Sequence, residues 1–271
     1  MTSRGFVKIY EKRTSKMQKE INKFVDSTVF EGMTSIRAII KSCDLGINDR
    51  RIKVILYDKD KIAKISKEIG YFKAVSDKYG FELKESGSVE LDKITLGDSH
   101  GGIVAIAGDR TLPCLSKEKI KDGGFYAMIQ GIEDPYNFGY ALRSLYACGC
   151  TGIILPKRNW MSAAGVVARS SAGASELFEM FNAEPSDAVK LFKAAGYTVV
   201  CADERTKCLL GECELKKPIL LIVGGEKRGI SREIIDMADI KVKIDYKREF
   251  NASLSAASAT TMFAYEIMRQ N

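Results

Sequence analysis

The sequence is poor in the side chains that build metal sites. It contains a single histidine, His100, and seven cysteines with no Cys-x-x-Cys pair among them. Structural zinc sites need clustered cysteine and histidine ligands, so we expect no metal. Cys148 and Cys150 lie in an apolar run, where free thiols behave as small hydrophobes. We therefore expect the cysteines to be reduced.

Long apolar runs are also missing. No stretch approaches the roughly 18 uninterrupted apolar residues that a membrane span needs, and the first 20 residues hold no apolar core of a secretory signal. With 45% hydrophobic residues, the 271-residue chain can still bury substantial cores. We expect a soluble, cytoplasmic protein without a membrane partner.

The common nucleotide-binding fingerprints are absent as well. No G-x-G-x-x-G motif follows the first strand that we predict in either half of the chain, and the GGEKRGIS segment lacks the Gly-Lys-Ser/Thr ending of a P-loop. An enzyme that uses ATP or a dinucleotide is therefore disfavoured.

Basic residues are concentrated in the N-terminal part. Residues 1–121 hold 24 Lys and Arg against 17 Asp and Glu, whereas residues 122–271 hold 18 of each. A basic excess favours a polyanionic partner such as nucleic acid, although a charged stretch is often only a solvated face. Our candidate phosphate contacts are Lys12, Lys16, Lys19, Lys23, Arg50 and Arg51.

Hydrophobic periodicity predicts an α/β protein with two domains. The first covers residues 1–108, a polar linker covers 109–121, and the second covers 122–271. In the second domain, five apolar strands separated by helices predict a doubly wound parallel sheet. They lie at 124–131, 152–155, 197–201, 219–223 and 240–244, and the helices near 139–148, 163–171, 186–195, 231–238 and 252–269.

Three polar or glycine-rich clusters each follow a predicted strand of the second domain, where open α/β sheets bind ligands. They are GIEDPYNFGYALRS at 131–144, LIVGGEKRGIS at 221–231 and YKREFNASLSAASATTMFAYEI at 246–267. Taken singly, each also fits an ordinary loop or a tightly packed helix. Only their combination points to a site.

The order and spacing of these clusters resemble the three motifs of the SpoU (TrmH) family of RNA ribose 2'-O-methyltransferases, in the SPOUT superfamily. Motif one, N-x-G-x-x-x-R, is matched by Asn137, Gly139 and Arg143. Motif two is matched by Gly225, Glu226 and Gly229, and motif three by Asn251 and Ser253. The chain departs from the family pattern at Asp245, where proline is usual, and at Glu249 and Phe250, where Ser-Leu is usual.

The resemblance implies a catalytic site and a cofactor. The cofactor would be S-adenosylmethionine, and the catalytic residues would be Arg143, Asn137, Ser253 and Asn251. The cofactor-binding residues would be Gly225, Glu226, Gly229, Ile230, Asn251, Ser253 and Leu254.

The resemblance also implies an architecture and a partner. The C-terminal domain would be a SPOUT-type parallel sheet with a trefoil knot, it would form a homodimer, and a ribosomal-protein-like α/β RNA-binding domain would precede it. The substrate would be a structured RNA, with rRNA favoured over tRNA. Alternatives are a non-catalytic RNA-binding or ribosome-assembly protein and methylation of a base. We expect His100 to serve a turn or packing instead of catalysis.

Overall fold

The computed structural model describes residues 27–95, 100–156, 163–225, 229–249 and 252–271. The chain divides into two compact units. One takes residues up to Arg110 and the short segment that ends at Gly165, and the other takes the rest from Thr111 onward. The hydrophobic spacing of residues 14–26 predicts a helix, and these residues lie outside the described part of the chain.

The first unit is a four-stranded sheet with helices. The sheet has the order β1-β4-β2-β3, with β4 antiparallel to both of its neighbours and β2 parallel to β3. Its elements are β1 (Ser27–Glu31), α1 (Gly32–Leu45), β2 (Ile52–Asp58), α2 (Ile62–Tyr79), β3 (Glu82–Ser86), α3 (Ser88–Asp92) and β4 (Ile103–Gly108).

The second unit is built on six parallel strands in the order β10-β8-β9-β5-β6-β7. Its strands are β5 (Phe125–Gln130), β6 (Gly152–Leu155), β7 (Glu179–Asn182), β8 (Thr198–Ala202), β9 (Ile219–Gly224) and β10 (Ile240–Val242). Its helices are α4 (Pro135–Ala147), α5 (Ala164–Ser170), which begins in the Gly165 segment, α6 (Pro185–Ala194), α7 (Arg232–Met237) and α8 (Ala256–Gln270). The prediction of five strands is wrong, because the short β7 adds a sixth.

Strand β5 is buried on both faces, as its continuous apolar sequence predicts. Phe125, Ala127 and Ile129 pack into one core with residues of α4 and α8. Tyr126 and Met128 pack into a second core with residues of α6 and α7. The sheet is therefore the middle layer of a three-layer unit.

The segment at 109–121 is packed and does not behave as a free linker. Leu115 and Ile120 are buried in the second core, and the Leu115 N–H donates to the Asn182 carbonyl over 2.8 Å. Residues 111–121 therefore belong to the second unit. The apolar residues of this stretch follow no helical or strand periodicity, so their burial could not be predicted from the sequence.

The cysteines divide into two groups. Cys208 and Cys213 form a disulfide, so the expectation of reduced cysteines is wrong for this pair. The other five described cysteines are free. Burial raises the pKa of the Cys201 thiol to about 12 and also raises that of Cys150, so both stay protonated and act as small hydrophobes, as predicted for Cys150.

His100 serves a turn, as expected. Its Nδ1 accepts the Gly102 N–H over 3.1 Å, and its Nε2 lies 3.0 Å from Asp92 Oδ1. Within the described parts of the chain, no helix is both long and apolar enough to cross a membrane.

Candidate active site

Motifs one and two lie at the carboxyl ends of neighbouring strands. β5 and β9 pair in parallel with Gln130 opposite Gly224, so the loops that follow them leave the same edge of the sheet side by side. Motif three follows β10, at the edge of the sheet beyond β8. The prediction that these clusters follow strands is confirmed.

Motif one begins a helix earlier than we predicted. Asp134 caps α4 by accepting the N–H groups of Tyr136 and Asn137, and Pro135 occupies the first helical position. Both are favoured at a helix start, because the cap satisfies free N–H groups and proline needs none. Asn137 therefore lies in the first turn of α4 and not in a loop.

Arg143 lies exposed on α4, two turns after the cap. Its guanidinium makes no hydrogen bond or ion pair with any residue that the structure describes. The charge is therefore free to meet an anionic ligand, a role for which the planar, permanently charged guanidinium is suited.

Gly139 lets α4 approach α5 closely. A Cβ at this position would overlap Ser170 Oγ and lie 3.0 Å from the Val167 carbonyl oxygen. Ser170 donates back to the Val166 carbonyl over 2.8 Å, so it is itself held in place. The glycine of motif one is thus a packing requirement, and it fixes the helix that carries Arg143.

Motif two forms a tight turn against motif one. The Gly225 N–H donates to the Gln130 carbonyl over 2.7 Å, and the Gly229 N–H donates to the Gly225 carbonyl over 2.9 Å. A Cβ at Gly225 would overlap the Gly131 carbonyl and lie 2.8 Å from the Ile132 nitrogen. Glu226 lies outside the described residues.

Gln130 holds both ends of this turn, and sequence reasoning missed it. Its backbone carbonyl binds Gly225, and its side-chain Oε1 accepts the Ser231 N–H over 3.3 Å. The available signal was its position, as the one polar residue that ends the apolar strand β5 directly before Gly131.

Motif three leads into α8. Ser253 is exposed, and the Leu254 N–H donates to the Tyr246 hydroxyl over 3.0 Å. Ser255 caps the helix by accepting the Ser258 N–H, so α8 starts at Ala256 and not at residue 252. Asn251 lies outside the described residues.

Motif one contacts motif two, and its helix packs along the helix that follows motif three. Its loop, at Gly131 and Ile132, packs against Gly225 of motif two. Its helix α4 packs along α8, which motif three opens, and the Ser144 and Thr261 hydroxyls of these helices are 2.6 Å apart.

The predicted phosphate contacts need one correction. Arg50 is only 3% exposed, stacks over the Phe30 ring at 4.8 Å and donates to the Gly108 carbonyl over 2.5 Å. Its guanidinium is used inside the first unit, so its prediction as a phosphate contact is wrong. Arg51 is exposed. The other candidates, Lys12, Lys16, Lys19 and Lys23, lie outside the described residues.

An open cavity of about 570 Å³ lies where β8 and β10 begin, at the amino end of these strands. It is lined by Thr198, Cys208, Cys213, Glu214, Lys216 and Ile240. None of these is a candidate site residue.

A family model described as the SpoU rRNA Methylase family matches residues 124–265, which is more than half of the chain and includes all three motifs. The chain belongs to the SpoU rRNA methylase family. The resemblance seen in the sequence is confirmed.

Two relatives place the chain within this SpoU family. A protein of Staphylococcus haemolyticus, named "Putative TrmH family tRNA/rRNA methyltransferase", is 29% identical over 158 residues, which is 58% of this chain and 63% of that protein. The 23S rRNA (guanosine-2'-O-)-methyltransferase RlmB of Shewanella oneidensis is 28% identical over 71% of this chain and 80% of its own. The chain thus spans less than two thirds of the length of the first relative.

The likeness in fold to a solved structure extends beyond the matched segment. The crystal structure of an AdoMet-bound rRNA methyltransferase from Sinorhizobium meliloti superposes with a TM-score of 0.74 at 24% identity, covering 96% of this chain and 94% of that one. The α/β fold with a parallel sheet is therefore shared along nearly the whole chain.

Proposed function

We propose that the protein transfers a methyl group from S-adenosylmethionine to a ribose 2'-hydroxyl of a structured RNA, with rRNA favoured. The observation that carries this proposal is the exposed, unpaired Arg143 on α4. The loop that precedes this helix packs against motif two. Membership of the SpoU family and the name of the Shewanella oneidensis relative support the same chemistry.

The backbone around motifs two and three fits this cofactor. No hydrogen bond joins the backbone of Ile230 or Ser253 to another residue that the structure describes. Such free N–H and C=O groups can read an adenine edge or ribose hydroxyls. The full set that would hold the cofactor is Gly225, Glu226, Gly229, Ile230, Asn251, Ser253 and Leu254.

When bound, S-adenosylmethionine supplies an electrophilic methyl group on sulfonium. Methyl transfer would break the S–CH3 bond, form the O–CH3 bond, release S-adenosylhomocysteine and pass the hydroxyl proton to solvent. A ribose hydroxyl is a weak nucleophile, so it must be aligned and its developing negative charge stabilised. Arg143 does this beside the RNA phosphate, and because guanidinium is permanently protonated, we assign it an electrostatic role. Asn137, Asn251 and Ser253 support the alignment.

We assign RNA capture to residues 1–108, as a ribosomal-protein-like domain, and methyl transfer to residues 122–271. Arg51 and the four lysines Lys12, Lys16, Lys19 and Lys23 remain candidate phosphate contacts. The first unit offers a further exposed cation, Arg37, stacked at 5.3 Å over the Tyr71 ring. Guanidinium and aromatic faces together suit RNA phosphates and bases.

We also propose that the second unit is a trefoil knot and forms a homodimer in the cytoplasm. An exposed apolar surface on α4 and α8, which we call the α4/α8 face, supports the dimer. It consists of Tyr136, Tyr140, Met262, Tyr265 and Met268. Large exposed apolar side chains on packed helices are typical of a protein interface.

The decisive experiment replaces Arg143 with alanine and measures methyl transfer to ribosomal RNA together with cofactor binding by calorimetry. We expect turnover to fall at least about a hundredfold, as when a charge-stabilising group is removed, with S-adenosylmethionine affinity largely kept. Arg205→Ala, at another exposed arginine of the same unit, is the control. Retained turnover in Arg143→Ala would refute the catalytic role.

A further inference from the structure

A tyrosine ties together the two sides of the loop that carries motif three. The Tyr246 hydroxyl accepts the Leu254 N–H over 3.0 Å, between residues eight positions apart. Tyr246 is 39% exposed, so its ring is partly covered while its oxygen reaches the backbone. A backbone N–H that would otherwise face solvent is thereby fixed in direction.

The ends of this loop are fixed independently. At one end, Lys243 pairs with the 208–210 segment, since its N–H donates to the Cys208 carbonyl over 3.0 Å and its carbonyl accepts the Leu210 N–H over 2.9 Å. At the other end, the Ser255 cap starts α8. The Tyr246 bond therefore acts on the part of the loop that lies between two anchored ends.

A hydrogen bond across this loop compensates for the absence of a proline that would restrict its backbone. Position 245 is Asp245, whereas proline there would fix one backbone dihedral and reduce the number of loop conformations. A hydrogen bond across the loop restricts the same freedom by another route.

We propose that Tyr246 is a positioning residue that holds the Leu254 segment in the conformation that receives the cofactor. This inference rests on the proposed function, in which Ser253 and Leu254 contact S-adenosylmethionine. Tyr246 itself acts through the backbone of Leu254.

The test is Tyr246→Phe, which removes one oxygen and leaves the ring in place. Hydrogen exchange should show faster exchange of the Leu254 amide, and the dissociation constant and KM for S-adenosylmethionine should rise about three- to tenfold, as expected for one lost hydrogen bond, with kcat at saturation largely kept. Tyr57→Phe is the matched control, because it removes a hydroxyl bonded to Glu85 in the first unit and should change none of these values.

The outcomes separate the two proposals. Unchanged Leu254 exchange, or unchanged cofactor affinity in Tyr246→Phe, overturns the positioning role while the methyltransferase proposal stands. A fall in kcat with constant KM also overturns it. A wild-type protein that binds no S-adenosylmethionine overturns the proposed function and this inference with it.

Discussion

At the scale of single residues, two glycines set how closely motif one approaches its neighbours. Gly139 allows contact with Ser170, and Gly225 allows contact with Gly131. At both positions the space that a side chain would need is occupied by atoms of the protein itself. Packing therefore explains why glycine stands at these positions of motif one and motif two.

Gly139→Ala should destabilise the second unit by about 1–3 kcal/mol, the usual cost of forcing extra volume into a packed contact. Gly70→Ala is the matched control, because Gly70 also lies inside a helix but has open space around it. Alanine there should stabilise the first unit by up to about 1 kcal/mol through helix propensity. Urea unfolding followed by circular dichroism measures the change in free energy of unfolding in both variants. A change of the same sign in the two would contradict the packing argument.

Single residues also show what the sequence could and could not predict. Asn137, Gly139 and Arg143 are predicted as site residues from the resemblance to motif one of the family. Gln130 and Tyr246 were missed, because their roles depend on tertiary contacts with Ser231 and with the Leu254 backbone that no local pattern encodes. The burial of Arg50 under a cation–π contact was hidden for the same reason.

At the scale of elements, the prediction of helices and strands is wrong where the local sequence pattern is weak or fits two structures. Asp134 followed by Pro135 suits a turn, and the same pair equally suits the start of a helix, which is what it forms here. β7 has four residues, too few for periodicity to separate strand from helix. Strands β5 and β9 are predicted nearly to their ends, because each is a continuous apolar run.

The C-terminal end of α8 is anchored by a charged network. Glu266 Oε1 accepts hydrogen bonds of 2.7 Å from both Arg269 and Gln270, and Gln270 bonds in turn to Leu215 and Cys213. The Arg269 hydrogen bond is the main reason that the pKa of Glu266 is lowered; burial opposes it.

This network predicts a pH-dependent stability. Because the folded-state pKa of Glu266 is depressed, its contribution is present above the ordinary glutamate pKa of roughly 4.3 and is lost as the pH falls through the folded value. Glu266→Gln should cost about 1–2 kcal/mol at pH 7, typical of a charge-assisted hydrogen bond, and less at pH 4. Urea titrations at both pH values measure the difference, and the exposed Glu204→Gln should show none. If Glu266→Gln lost more free energy of unfolding at pH 4 than at pH 7, the assignment would be contradicted.

At the scale of the whole molecule, the α4/α8 face is the prime candidate for self-association. Tyr265 is 55% exposed, and Met268 lies one turn further along the same helix. Large exposed apolar side chains on a common face are costly in water and favour burial against a partner.

Tyr265→Glu combined with Met268→Glu should convert a dimer to a monomer, because carboxylates would be desolvated in the interface. Sedimentation velocity measures the oligomeric state. Leu45→Glu, at an exposed leucine of the first unit, should leave the dimer intact. A wild-type protein that sediments as a monomer, or a double variant that stays dimeric, would exclude this face.

The alternation of side chains along β5 has a consequence for how the protein can change. Even-numbered positions such as Tyr126 and Met128 face the layer of α6 and α7, and the sheet backbone separates that layer from the helix that bears Arg143. This layer also holds Ile230, one of the candidate cofactor contacts. Substitutions in the layer of α6 and α7 can therefore reach the candidate site through Ile230 without changing the packing of α4.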